Sequence, residues 1–131
     1  MLKHLLFSLC LILTFAVQSQ TTQEKIDSLY AQYPNLKNDS LRIHCLTELS
    51  RNYYKLDTFY SMDSALATIE QGYYLARKKG NQSYSRAPFV TYAKLNKYSS
   101  NYDRALEILF EYREIAKKND LPYWETNALE K

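Results

Sequence analysis

From Asp39 onward the apolar residues return in steps of three and four, the spacing of one helix face, and the steps break at a few polar turns. Leu41, Cys45, Leu46, Leu49, Tyr53 and Leu56 predict a first helix, with Arg42, Glu48, Arg51 and Lys55 on its other faces. It starts at Asn38-Asp39-Ser40, where Asp39 or Ser40 is expected to accept a bond from the free amide hydrogens of the first turn. Ala65, Leu66, Ile69, Tyr73 and Ala76 predict a second, capped by Ser61 or Asp63 and closed at Gly80-Asn81, with Lys78 and Lys79 in its last turn. Between them, Asp57 to Met62 breaks the period. Phe59 and Tyr60 are poor loop residues, so this stretch is expected to be a partly buried linker or a further helical turn.

A third helix opens after Gln82 or Ser83 and runs to Tyr98. Pro88 would cost about 3 kcal/mol in its interior, so it is expected to start late, with Ser85 as cap and Phe89, Tyr92, Ala93 and Asn96 inward. Ser99-Ser100-Asn101 is a turn. Tyr102 to Lys118 then carries Ala105, Leu106, Leu109, Tyr112, Ile115 and Ala116 as a fourth stripe. Ahead of these, Thr21 to Gln32 reads as a short leading helix with Ile26, Leu29 and Tyr30 at helical spacing, stopped by Pro34-Asn35.

Two of these stripes repeat each other at an interval of forty residues. Asp63-Ser64-Ala65-Leu66 is answered by Asp103-Arg104-Ala105-Leu106, and Leu75-Ala76-Arg77-Lys78 by Ile115-Ala116-Lys117-Lys118. A period in the range of about 20 to 50 residues means stacked supersecondary units, here antiparallel helix pairs. The chain divides accordingly into a leading helix and linker over 20–38, units at 39–81 and 82–119, and the first helix of a third unit over 120–131, carrying Pro122, Trp124 and Leu129. The expected fold is all-α.

Residues 1–19 are expected to be an export signal. Lys3 and His4 lead an apolar run, Leu5 to Val17, whose thirteen residues fall short of the ~20 a membrane span needs, and Val17-Gln18-Ser19 offers a cleavage site after Ser19. Cys10 and His4 leave with the signal, so the mature chain keeps one Cys and one His, Cys45 and His44, and cannot hold an internal disulfide. Cys45 reads as a small buried hydrophobe. The net charge of +3 is too small to argue for nucleic acid. Thirteen tyrosines are the one departure in composition; a helical array uses such broad, hydroxyl-tipped rings on half-buried seams or groove walls.

The small-residue and turn pattern resembles the tetratricopeptide repeat. With Ala105 on that motif's Ala at the start of the second helix, Ala93 falls on the small residue of the first helix, Tyr102 on the aromatic before the second, Ala65 repeats the anchor, and Gly72 falls where a small residue admits the neighbouring unit. Tyr53 and Tyr112 depart from small positions, and the period is forty where the motif has thirty-four. The resemblance implies a right-handed solenoid of stacked pairs that binds a protein or peptide. The leader and the long Tyr-rich units also look like the extracytoplasmic input regions of Bacteroidetes-type sensor kinases and regulators, which meet a membrane only through a segment further downstream. An independent small periplasmic adaptor, self-associating through its open C-terminal end, is the alternative.

Little in the chain suits catalysis. His44 and Cys45 are adjacent, hence about 100° apart on a helix and unable to form a nucleophile and base pair. There is no metal-ligand spacing and no Gly-rich phosphate loop, so neither a cofactor nor an enzymatic role is expected. In stacked pairs the first helices line the concave side, which makes Tyr54, Lys94, Lys97 and Tyr98 the candidate binding residues, suited to an acidic or extended peptide. Expressed in an exporting bacterial host, the chain is expected outside the cytoplasm with Gln20 as its first residue, within two positions. Intact-mass measurement checks this, and an uncleaved product confined to the cytoplasm would contradict it.

Overall fold

The computed structural model of the chain describes residues 2–4, 21–79 and 86–120. All of its regular structure among these residues is helical: residues 21–32 (α1), a 3-10 turn Tyr33–Asn35, α2 Asp39–Leu56, α3 Ser61–Lys79, α4 Arg86–Tyr98 and α5 Tyr102–Lys118. The apolar leader from Leu5 with its cleavage site, the Gly80-Asn81 closure, Ser85, and the Trp124 and Leu129 segment lie outside the described residues.

Each helix end has a local cause. Asn38 caps α2, its side-chain oxygen accepting from Ser40 N at 2.7 Å, while Asp39 lies inside the first turn. The cap is therefore one residue earlier than expected, because Asn38 is the last residue with extended backbone (φ -105, ψ 130). At the other end Asp57 takes the left-handed conformation (φ 48) and its N–H returns to Tyr54 O at 3.3 Å. Ser61 then folds back, its hydroxyl accepting from Thr58 N and donating to Thr58 O. The turn so closed leaves Phe59 88% and Tyr60 74% exposed, ring against ring at 5.2 Å, which corrects the expectation of a partly buried linker. Pro88 sits in the first turn of a late-starting α4, as its missing N–H requires.

Consecutive helices pack on each other, α2 on α3, α3 on α4 and α4 on α5, and α2 also touches α4. The core between them is Ile43, Ala65, Ile69, Tyr73, Ala76, Phe89, Tyr92, Ala93, Leu95, Ile108 and Tyr112. A smaller cluster of Ile26, Cys45 and Leu49 seats α1 on α2. Leu41 and Leu106, expected inward, are about half exposed, whereas Ile43 and Ile108 take the buried places. The reason is that each helix here meets more than one neighbour, so the buried arc is wider than one stripe and is centred between two contacts. Tyr30 is exposed, and Ile26 and Leu29 are the α1 residues packed into the smaller cluster.

Two small residues set the spacing. Ala65 is fully buried and its carbonyl accepts from Ser50 Oγ at 2.7 Å, a hydrogen bond that ties α3 to α2 inside the core. Gly72 faces both neighbours: a Cβ there would lie 3.4 Å from Leu46 Cβ, 3.9 Å from Ile43 O and 3.9 Å from Pro88 Cβ. Three helices thus meet where the chain has no side chain. The contact distances leave room for one methyl group and no more. Gly72→Ala is expected to stabilise by up to about 1 kcal/mol through helix propensity, and Gly72→Leu to destabilise by about 1–3 kcal/mol through overpacking. Thermal or urea melts of the two variants check the opposite signs.

Candidate functional site

Tyr54 lies in the last turn of α2 and Tyr98 ends α4, and the contact between these two helices brings the rings together. Their centroids are 5.4 Å apart with planes inclined by 15°, a stacked pair, although Tyr54 is 41% and Tyr98 54% exposed. Aromatic surface is therefore held in place without being covered. Lys94 precedes Tyr98 by one helical turn and shares its face, while Lys97 lies about 100° round α4; both are exposed, and neither has an ion-pair partner among the described residues. Of the four candidates, Tyr54 and Tyr98 are in contact, Lys94 flanks them by helix register, and Lys97 stands to one side.

A second polar cluster joins the units. Tyr73 donates to one oxygen of Glu111, whose other oxygen meets Arg77 Nε at 2.6 Å. Tyr92 donates to Glu70 at 2.9 Å, and the Arg104 guanidinium stands 5.7 Å from both the Tyr73 and Tyr92 ring centroids while pairing with Glu107 at 3.0 Å. Burial, then the hydrogen bond and charge of Glu111, pushes Tyr73 up to about 12, against the pull of Arg77 and Arg104. Burial and the Glu70 bond push Tyr92 up in the same way. The hydrogen bond that Arg104 donates to Glu107 raises the guanidinium further, so it stays charged. Every named group in this cluster already has a partner, which makes it a clasp between units.

The sequence pattern did not reveal a crevice between the leading segment and α3, with a volume of ≈ 480 Å³. Tyr30, Tyr33 and Pro34 of the leading segment, Tyr53 of α2, and Thr68 and Gln71 of α3 line it. Burial, with Tyr30 and Asp27 nearby, pushes the Tyr53 phenol up. Leu46 and Leu49, both buried, complete the α2 side of the lining. The available signal was the absence at Ser64 and Ala67 of the large residues that stand forty positions later.

Chemistry of other kinds finds no centre among the described residues. Among these residues no group of three His, Cys, Asp or Glu is placed to hold a metal, and among them no helix is long and apolar enough to cross a membrane. His44 is exposed, whereas Cys45 is buried with its thiol donating to Leu29 O at 3.4 Å and pushed up by that burial. Comparison with protein-family models, with curated proteins and with solved structures gives no match to this chain.

The clasp has a measurable signature. A tyrosine whose folded value exceeds its unfolded one stabilises fully below about pH 10, and that contribution is lost as pH rises from about 10 to 12. Tyr73→Phe is expected to make the fall of melting temperature shallower over that interval, leaving a residual slope from Tyr53, Tyr92 and Tyr112, whose values are also raised. Melting temperature against pH for the two proteins checks it.

Proposed function

We propose that the chain is an exported, non-enzymatic module of stacked tetratricopeptide-like helix pairs that binds a protein or peptide, and that it serves as the extracytoplasmic input part of a longer signalling protein. The observation that carries the reading is the exposed Tyr54 and Tyr98 stack. It lies across the first helices of two successive units, with Lys94 one turn away. A preformed aromatic pair gives contact area at little entropic cost, and a flanking cation selects for negative charge. The solenoid arrangement is supported by the forty-residue repeat and by the order of helix contacts, each helix on the next and first helix on first helix. Export is supported by the leader sequence alone, and the signalling role by the resemblance.

A second reading, an adaptor that closes by pairing with its own copy, is favoured by one surface. Tyr102, Leu106 and Phe110 recur every fourth residue along α5 and are each more than half exposed. The same stripe would equally receive the next helix of a longer array.

Titration with fluorescently labelled peptides tests the main reading. A tyrosine-containing decapeptide rich in glutamate is expected to bind, its lysine-rich counterpart to bind at least about tenfold more weakly, and the difference to shrink with added salt. Tyr54→Ala and Lys94→Ala are each expected to weaken the acidic peptide by about three- to thirtyfold without lowering the melting temperature appreciably. Equal binding of both peptides, or no effect of either substitution, would refute the site.

A further inference from the structure

Where α3 meets α5, the chain fills its own crevice. Arg104 reaches over Tyr73 and Tyr92, Glu107 answers its charge, and Glu70 and Glu111 take the tyrosine hydroxyls. The interval of forty that carries Ala105 to Ala65 also carries Arg104 to Ser64, Glu107 to Ala67, Glu111 to Gln71, Tyr73 to Tyr33 and Glu70 to Tyr30. All five of these earlier residues line the crevice between the leading segment and α3. The crevice and the α3–α5 clasp therefore occupy one position in the repeat. In the clasp a long cation and three acids occupy it; in the crevice a hydroxymethyl, a methyl, an amide and a phenol stand at their places.

That exchange determines what can enter. The volume of ≈ 480 Å³ lies within the range of about 300–1,000 Å³ typical of ligand sites. None of the lining residues is charged and the nearby Asp27 is itself negative, so an anion taken from water would meet no counter-charge there. The buried Leu46 and Leu49 in the lining offer no hydrogen bond and suit an apolar tip. The Thr68 hydroxyl already donates to Ser64 O at 2.7 Å, leaving its lone pairs to accept, and the Gln71 amide is exposed and can both donate and accept. An apolar side chain against the leucines and a peptide backbone against Thr68 and Gln71 would satisfy both.

We propose that this crevice is a second docking site, which takes an uncharged apolar side chain and its flanking backbone from a peptide, in the place Arg104 fills one unit later. It borrows from the functional reading only the class of partner and uses a different set of residues from the Tyr54 and Tyr98 pair.

Amide-resolved NMR of the full chain tests the site with three probes: acetyl-Leu-Phe-Leu-amide, acetyl-Leu-Glu-Leu-amide and maltotriose. The first is expected to shift Tyr30, Thr68 and Gln71 saturably, and the second to bind at least about tenfold more weakly. Ala67→Glu, at an exposed position, is expected to weaken the first probe, and the double variant Ser64→Arg with Ala67→Glu to abolish its binding, while melts show both proteins folded. Tyr54→Ala is expected to leave this binding unchanged. Absence of shifts at these residues, equal response to the glutamate probe, a response to maltotriose alone, or undiminished binding by the refilled variants would each overturn the proposal. Loss of peptide binding in Tyr54→Ala but not in Ala67→Glu would overturn it while leaving the functional reading standing.

Discussion

The structure depends on how closely α3 can lie against α2 and α4 at once. Ala65 and Gly72, seven residues apart, are on one side of α3 and provide that approach, the first by letting Ser50 reach its carbonyl and the second by leaving space for Leu46 and Pro88. Everything outward follows from this spacing. With α2 and α4 drawn together through α3, their C-terminal ends come near enough for Tyr54 and Tyr98 to stack. A residue larger than alanine at either point would separate the two first helices and part the rings, so the exposed surface is set from inside the core.

Much of this was readable because helix ends and helix stripes are local. Tyr102 to Lys118 was assigned to the residue from a turn on one side and a basic pair on the other, and the late start of α4 from the chemistry of proline. What failed was what depends on neighbours. Leu41 and Leu106 were placed inward on the assumption of one buried stripe per helix, whereas Ile43 and Ile108 lie where two contacts overlap. Phe59 and Tyr60 were judged by hydrophobicity, yet the left-handed Asp57 and the Ser61 turn fix the loop and leave both rings outside.

The candidate site shows the same division. Tyr54, Lys94, Lys97 and Tyr98 were selected by helix face, and all four are exposed. The stack itself is not readable in the sequence, because the repeat pairs Tyr54 with Lys94, whereas the ring that Tyr54 meets belongs to Tyr98, one helical turn further on. The crevice was missed for a different reason. It is made by residues that are too small, and a pattern of apolar positions registers what is present, not what has been cut back.

Cys45 gives the leading helix a meaning beyond capping. Its thiol is covered by α1, to which it donates at Leu29 O, and burial keeps it protonated. In an oxidising compartment such a thiol is protected by kinetics and not by pairing. The rate at which it could react is the rate at which α1 lifts away, so resistance to forming covalent aggregates is set by the fraying of this one helix and not by the stability of the whole fold.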